Sequence, residues 1–85
     1  MADSISKAFG AVVRRRREAI PLSQEELAAA AGIHRTYVSS IELGKVRLGL
    51  DIAKKVANGL RIRLSELISE AEGEAKHRGG GREKR

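Results

Sequence analysis

The sequence has no cysteine and no tryptophan, and only one proline, one tyrosine and one phenylalanine. Without cysteine there is no disulfide and no thiolate to hold a metal or attack a substrate, a composition suited to a reducing compartment. One tyrosine and one phenylalanine cannot build the stacking platform on which RNA loops and single strands are read. Long apolar runs are missing too. None approaches the ~20 residues that span a bilayer, and the first residues lack the apolar centre of a signal peptide. The expectation is a soluble, cytoplasmic protein with no membrane partner. His34 and His77 are the only histidines, too few and too far apart for a metal site. Ser39 and Ser40 have no evident base and orienting acid beside them. No catalytic residue, metal ligand or cofactor is predicted.

Positive charge is plentiful. The 17 Lys/Arg against 11 Asp/Glu give a net charge of +6, which favours a polyanionic partner. Residues 1–72 hold 12 basic against 9 acidic residues, and residues 73–85 hold 5 against 2, so half the excess lies in the last stretch. A membrane surface would need a helix joining a large apolar face to a basic one, and none reads that way. With stacking excluded, duplex DNA entered through a groove is the better partner. At 85 residues the chain makes one domain with a small core, which dimerisation would support.

The organising stretch is Ser23 to Gly44, SQEELAAAAGIHRTYVSSIELG. Ser23 with Glu26 three residues on forms a capping box, and Leu22 with Leu27 a hydrophobic staple. The alanine run ends at Gly32, suited to the left-handed backbone of a helix end. His34 then caps a second helix from Arg35 to about Leu43, which Gly44 stops. Wound at ~100° per residue, this helix divides in two. Arg35, Thr36, Ser39, Ser40 and Leu43 share one arc; Tyr37, Val38, Ile41 and Glu42 share the other. Short hydroxyls and an arginine on an exposed helix suit close entry into a groove.

This segment resembles the helix-turn-helix of the lambda Cro and repressor (XRE) family of bacterial and phage regulators. Within that family it is most similar to the small controller proteins of restriction–modification systems. The resemblance runs from Phe9 to Leu67, and HRTYVS is its most telling part. It implies an all-α, compact five-helix domain of lambda-repressor type. The implied function is sequence-specific transcriptional regulation by a homodimer on a palindromic operator, in a nucleoid-associated protein of bacterial or phage origin. Arg35, Thr36, Ser39 and Ser40 would read base edges, with Arg35 suited to guanine. Gln24 matches the family's phosphate-anchoring glutamine; Tyr37, the Leu43 backbone, Lys45 and Arg47 are further phosphate candidates. Arg17 matches an arginine that pairs with a glutamate ending the recognition helix, here Glu42, and the winding independently puts Glu42 on the inner arc.

Around this motif, Ile5, Ala8, Phe9, Val12 and Val13 trace a first helix that Pro21 prevents from continuing. Arg14 and Arg15 face water or phosphate, while the stem of Arg16, at a position where the family usually has leucine, is expected to cover the core edge. Leu48 and Gly49 depart from the family's common proline and Ser/Thr cap, yet a helix still starts near Leu50. Arg61 stands where the family often has glycine, so an irregular turn is expected there. Leu64, Leu67, Ile68 and Ala71 give a last stripe; Leu64, Leu67 and Ile68 are the expected dimer surface. The DNA-binding domain with its dimerisation helix is thus placed at residues 1–72. A disordered basic tail is placed at residues 73–85. Two other readings stay open: a DNA-binding antitoxin of a toxin–antitoxin module, and a protein-interaction adaptor. RNA polymerase and a toxin protein are the further partners that such regulators could meet.

Overall fold

The computed structural model describes residues 4–78. Its helices are α1 (Ser4–Ala19), α2 (Gln24–Ala31), α3 (Arg35–Glu42), α4 (Leu50–Leu60) and α5 (Leu64–Arg78), with no strand among the described residues. Val12, Val13, Leu27, Val38, Val56 and Leu67 are the largest wholly buried side chains. Each helix contributes through the stripe that its 3.6-residue period aligns. α1 lies along α5, α2 packs on α4, and α3 is held between α1 and α2.

Two glycines inside helices allow this packing. A Cβ on Gly10 would stand 2.0 Å from the carbonyl oxygen of Ile41, so α1 meets the backbone of α3 directly. A Cβ on Gly59 would stand 2.9 Å from Leu27 Cδ1, which brings α4 against α2. Helix-interior glycine costs roughly 1 kcal/mol relative to alanine, and here close approach offsets it.

Three expectations change. Leu67 is 0% exposed and unavailable to a partner, because the 16-residue α1 lies along α5 and, with α4, covers it. Leu64 and Ile68 are half-buried against the same core. Secondly, α5 continues past Gly73 to Arg78. The pairing of Arg15 with Glu74 at 3.4 Å ties this added turn to α1. Residues 79–85 of the expected tail lie outside the described residues. Thirdly, the turn at Arg61 is regular. Arg61 takes the left-handed backbone itself, with φ of 62°, and the Ile62 amide donates to the Ala57 carbonyl at 3.1 Å. This is the bonding of a glycine-ended helix, adopted by an arginine.

Candidate nucleic-acid interface

The local sequence positions α3 at both ends. Ser23 Oγ accepts from the Glu26 amide at 3.0 Å, and Glu26 Oε1 accepts from the Ser23 amide at 2.8 Å, closing the capping box of α2. Gly32 ends α2 with φ of 73°, and the Ile33 amide returns to the Ala28 carbonyl at 3.0 Å. His34 then enters α3 with extended backbone and no side-chain capping bond. At the far end Gly44 turns left-handed at φ 71°, and the Lys45 amide closes on the Ser40 carbonyl at 3.0 Å.

Between these ends α3 shows two faces. Val38 and Ile41 are 1% and 2% exposed, and Tyr37 packs half-buried against the core. Arg35 and Thr36 are exposed, while Ser39 and Ser40 are half-buried beside them. Leu43 is 59% exposed, but its amide donates to the Ser39 carbonyl at 3.1 Å. The backbone N–H expected to meet phosphate at Leu43 is therefore engaged within the helix.

Glu42 anchors the inner face. Arg17 donates from Nε to Glu42 Oε2 at 2.6 Å and from Nη2 to Oε1 at 3.0 Å. Its Nη1 donates to the Leu22 carbonyl at 2.7 Å. The hydrogen bonds to Glu42 raise the Arg17 pKa above its ordinary value, against the opposing effect of burial. Gln24, the first residue of α2, donates from Nε2 to Glu42 Oε1 at 3.1 Å. Its amide thus serves α3 first, leaving one N–H of the side chain and the backbone amide for an outside acceptor. One carboxylate joins α1, α2 and α3.

The arginine run of α1 is neutralised. Arg14 pairs with Glu18 at 3.2 Å and Arg15 with Glu74 at 3.4 Å. Arg16 donates from Nε to Glu70 Oε1 at 3.0 Å and from Nη2 to Oε2, a two-pronged pair between α1 and α5. That hydrogen bonding holds the Glu70 carboxyl below its usual range. Arg15, expected to face water or phosphate, and Arg16, expected to cover the core edge with its stem, thus each meet a carboxylate of α5. Sequence periodicity could not show this, since the partners lie more than fifty residues away. Arg35, Lys45 and Arg47 contrast with them: all three are exposed and none forms an ion pair among the described residues. Among those residues no group of His, Asp and Glu is placed to hold a metal ion, and no helix is long and apolar enough to cross a membrane.

A protein-family model described as "Helix-turn-helix" matches residues 13–67. The chain belongs to this helix-turn-helix family. It is 49% identical over 59 residues to the control protein C.MunI of Mycoplasma sp, covering 69% of this chain and 80% of that protein. The crystal structure of the restriction-modification controller protein C.AhdI from Aeromonas hydrophila matches with a TM-score of 0.69 and 39% identity, over 72% of this chain and 92% of that one. C.Esp1396I bound to a 19 base pair DNA duplex shares the fold, with a TM-score of 0.75 and 23% identity over 82% and 93% of the two chains. In this helix-turn-helix family member, α2 and α3 are the two helices of the motif, both inside the matched segment.

Proposed function

We propose that this protein is a transcriptional regulator of the restriction–modification controller type, binding double-stranded DNA as a homodimer on a palindromic operator. The observation that carries the reading is the charge arrangement around α3. Arg35, Lys45 and Arg47 form no ion pair among the described residues and flank a face of one exposed and two half-buried hydroxyls, whereas every arginine of the α1 run has a carboxylate. In α3, Arg35, Thr36, Ser39 and Ser40 read base edges in the major groove. Lys45, Arg47, Tyr37 and the remaining donors of Gln24 hold phosphates and set the register. An adaptor would leave these uncompensated cations without a role. C.MunI and C.AhdI, a control protein and a restriction-modification controller, support the same reading, as does the DNA complex of C.Esp1396I.

One recognition helix covers few base pairs, so two copies about one turn of DNA apart (~34 Å) supply useful specificity. The apolar surface offered to a second copy lies where α1, α4 and α5 converge. Leu50 is 75% and Ile5 39% exposed, and they flank a groove of about 130 Å³ lined also by Phe9, Leu48, Ala53 and Ile68. Ligand pockets are typically ~300–1,000 Å³, so this groove suits a side chain better than a cofactor. A leucine beside a groove on the same face is self-complementary, as a two-fold interface requires.

The experiment is selection of preferred duplexes from a random pool by the full chain, followed by binding to every single-base variant of the recovered site. A symmetric site is expected. Arg35→Ala should relax preference at one symmetric pair of positions, where a bidentate arginine–guanine contact gives ~1–3 kcal/mol of discrimination. Lys45→Ala should weaken good and poor sites alike. Uniform loss with Arg35→Ala would make Arg35 a phosphate anchor, and failure to enrich any sequence would overturn the regulator reading.

A further inference from the structure

We propose that Lys7, near the start of α1, is a phosphate-binding residue of the DNA interface, seated beside the corner where α3 ends. This deepens the DNA-binding reading above and rests on it. The corner is where α1 crosses the end of α3. A Cβ on Gly44 would stand 2.8 Å from Lys7 Cγ and 3.0 Å from Lys7 Cα. Lys7 and Gly10 are three residues apart and share a helix face, and Gly10 meets the backbone of Ile41 and Glu42. That face of α1 therefore runs along the last turn of α3 and onto Gly44. Lys45 follows Gly44 directly, and Arg47 lies two residues beyond.

Lys7, Lys45 and Arg47 are exposed, and none forms an ion pair among the described residues. The carboxylate of Glu42, at the last turn of α3, is occupied by Arg17 and Gln24. The four consecutive arginines of α1 all reach carboxylates. Lys7, packed on Gly44, and Lys45, the next residue after it, instead bring two cations from separate elements to one corner with no ion pair among the described residues. The Lys7 stem lies against Gly44, which fixes its base while the ammonium extends to water. A lysine there acts as a point charge with three donors, suited to a phosphate oxygen and indifferent to the base. No periodicity signals this residue, because its neighbours come from a segment thirty-odd residues later in the chain.

The test measures binding of the full-length protein to two duplexes of equal length, one recovered by selection and one of random sequence, over a range of salt concentrations. Lys7→Met keeps the stem and removes the charge; Lys7→Arg keeps the charge. Neutralising one phosphate contact reduces the slope of log K against log salt by ~0.9 for each bound copy. Lys7→Met is expected to show that reduction with the same proportional loss on both duplexes, and Lys7→Arg to restore the slope. An unchanged slope in Lys7→Met, with duplex binding intact, overturns the assignment and leaves the DNA-binding reading standing. A loss confined to the selected duplex overturns the phosphate role. Absence of salt-dependent binding by the unsubstituted protein overturns both.

Discussion

Arg17 and Glu42 meet edge to edge between the first and third helices, with side chains only 11% and 3% exposed. Both Glu42 oxygens accept from the guanidinium, and Gln24 adds a third bond from the second helix. The recognition helix is held at its C-terminal end by this one carboxylate.

Breaking such a buried pair from one side leaves the other charge uncompensated, at a cost of ~3–5 kcal/mol. Arg17→Ala and Glu42→Ala are each expected to lower the unfolding free energy, read from urea denaturation, by an amount in that range. The double variant should cost clearly less than their sum. Strict additivity in that cycle, measured by circular dichroism, would mean the two side chains are energetically independent.

Leu50 and Leu67 should behave oppositely. Leu50→Glu changes a residue that is 75% exposed, so the monomer is expected to fold normally while sedimentation shifts towards monomer and operator binding weakens. Leu67→Ala removes a wholly buried side chain and is expected to cost ~2–5 kcal/mol of stability. A Leu50→Glu protein that sediments like its parent would remove this face from the dimer.

The glycine at the crossing of α1 and α3 gives a sharper steric test. Gly10→Ala places a methyl 2.0 Å from the Ile41 carbonyl oxygen, and forced overpacking of this kind costs roughly 1–3 kcal/mol. Gly73→Ala, where nothing lies within 4 Å, should instead add roughly 0.5–1 kcal/mol of stability. Thermal unfolding of both variants checks the contrast; equal effects would mean α1 can move away from α3 at little cost.

Arg16 and Glu70 make stability depend on pH. Hydrogen bonding to Arg16 holds Glu70 below its usual value of 4.5. A carboxyl with a depressed folded pKa stabilises above the unfolded value and loses that contribution as pH falls through the folded one. Glu70→Gln is therefore expected to destabilise at pH 7, by at most about 1 kcal/mol because the pair is partly exposed and screened. The difference from the parent should shrink below pH 4.5 and vanish in stronger acid. An offset that stays constant from pH 7 to pH 3 would assign the effect to packing.

What the sequence determined by itself is local. The capping box, Gly32, the two arcs of α3 and the stop at Gly44 follow from backbone geometry and a 3.6-residue period, both carried by neighbours within a turn or two. The same winding placed Arg35 and Thr36 outside and Val38 and Ile41 inside. Tertiary structure decided what depends on distant partners. Leu67 belongs to the core because α1 and α4 cover it, a fact that one helix's own stripe cannot contain. Arg15 and Arg16 found carboxylates on α5, and Lys7 came to rest beside Gly44, through packing between segments remote in the chain. Arg61 adopted a glycine's backbone at the turn from α4 to α5, where the packing of α4 on α2 and of α5 on α1 outweighs the left-handed strain of roughly 1–2 kcal/mol.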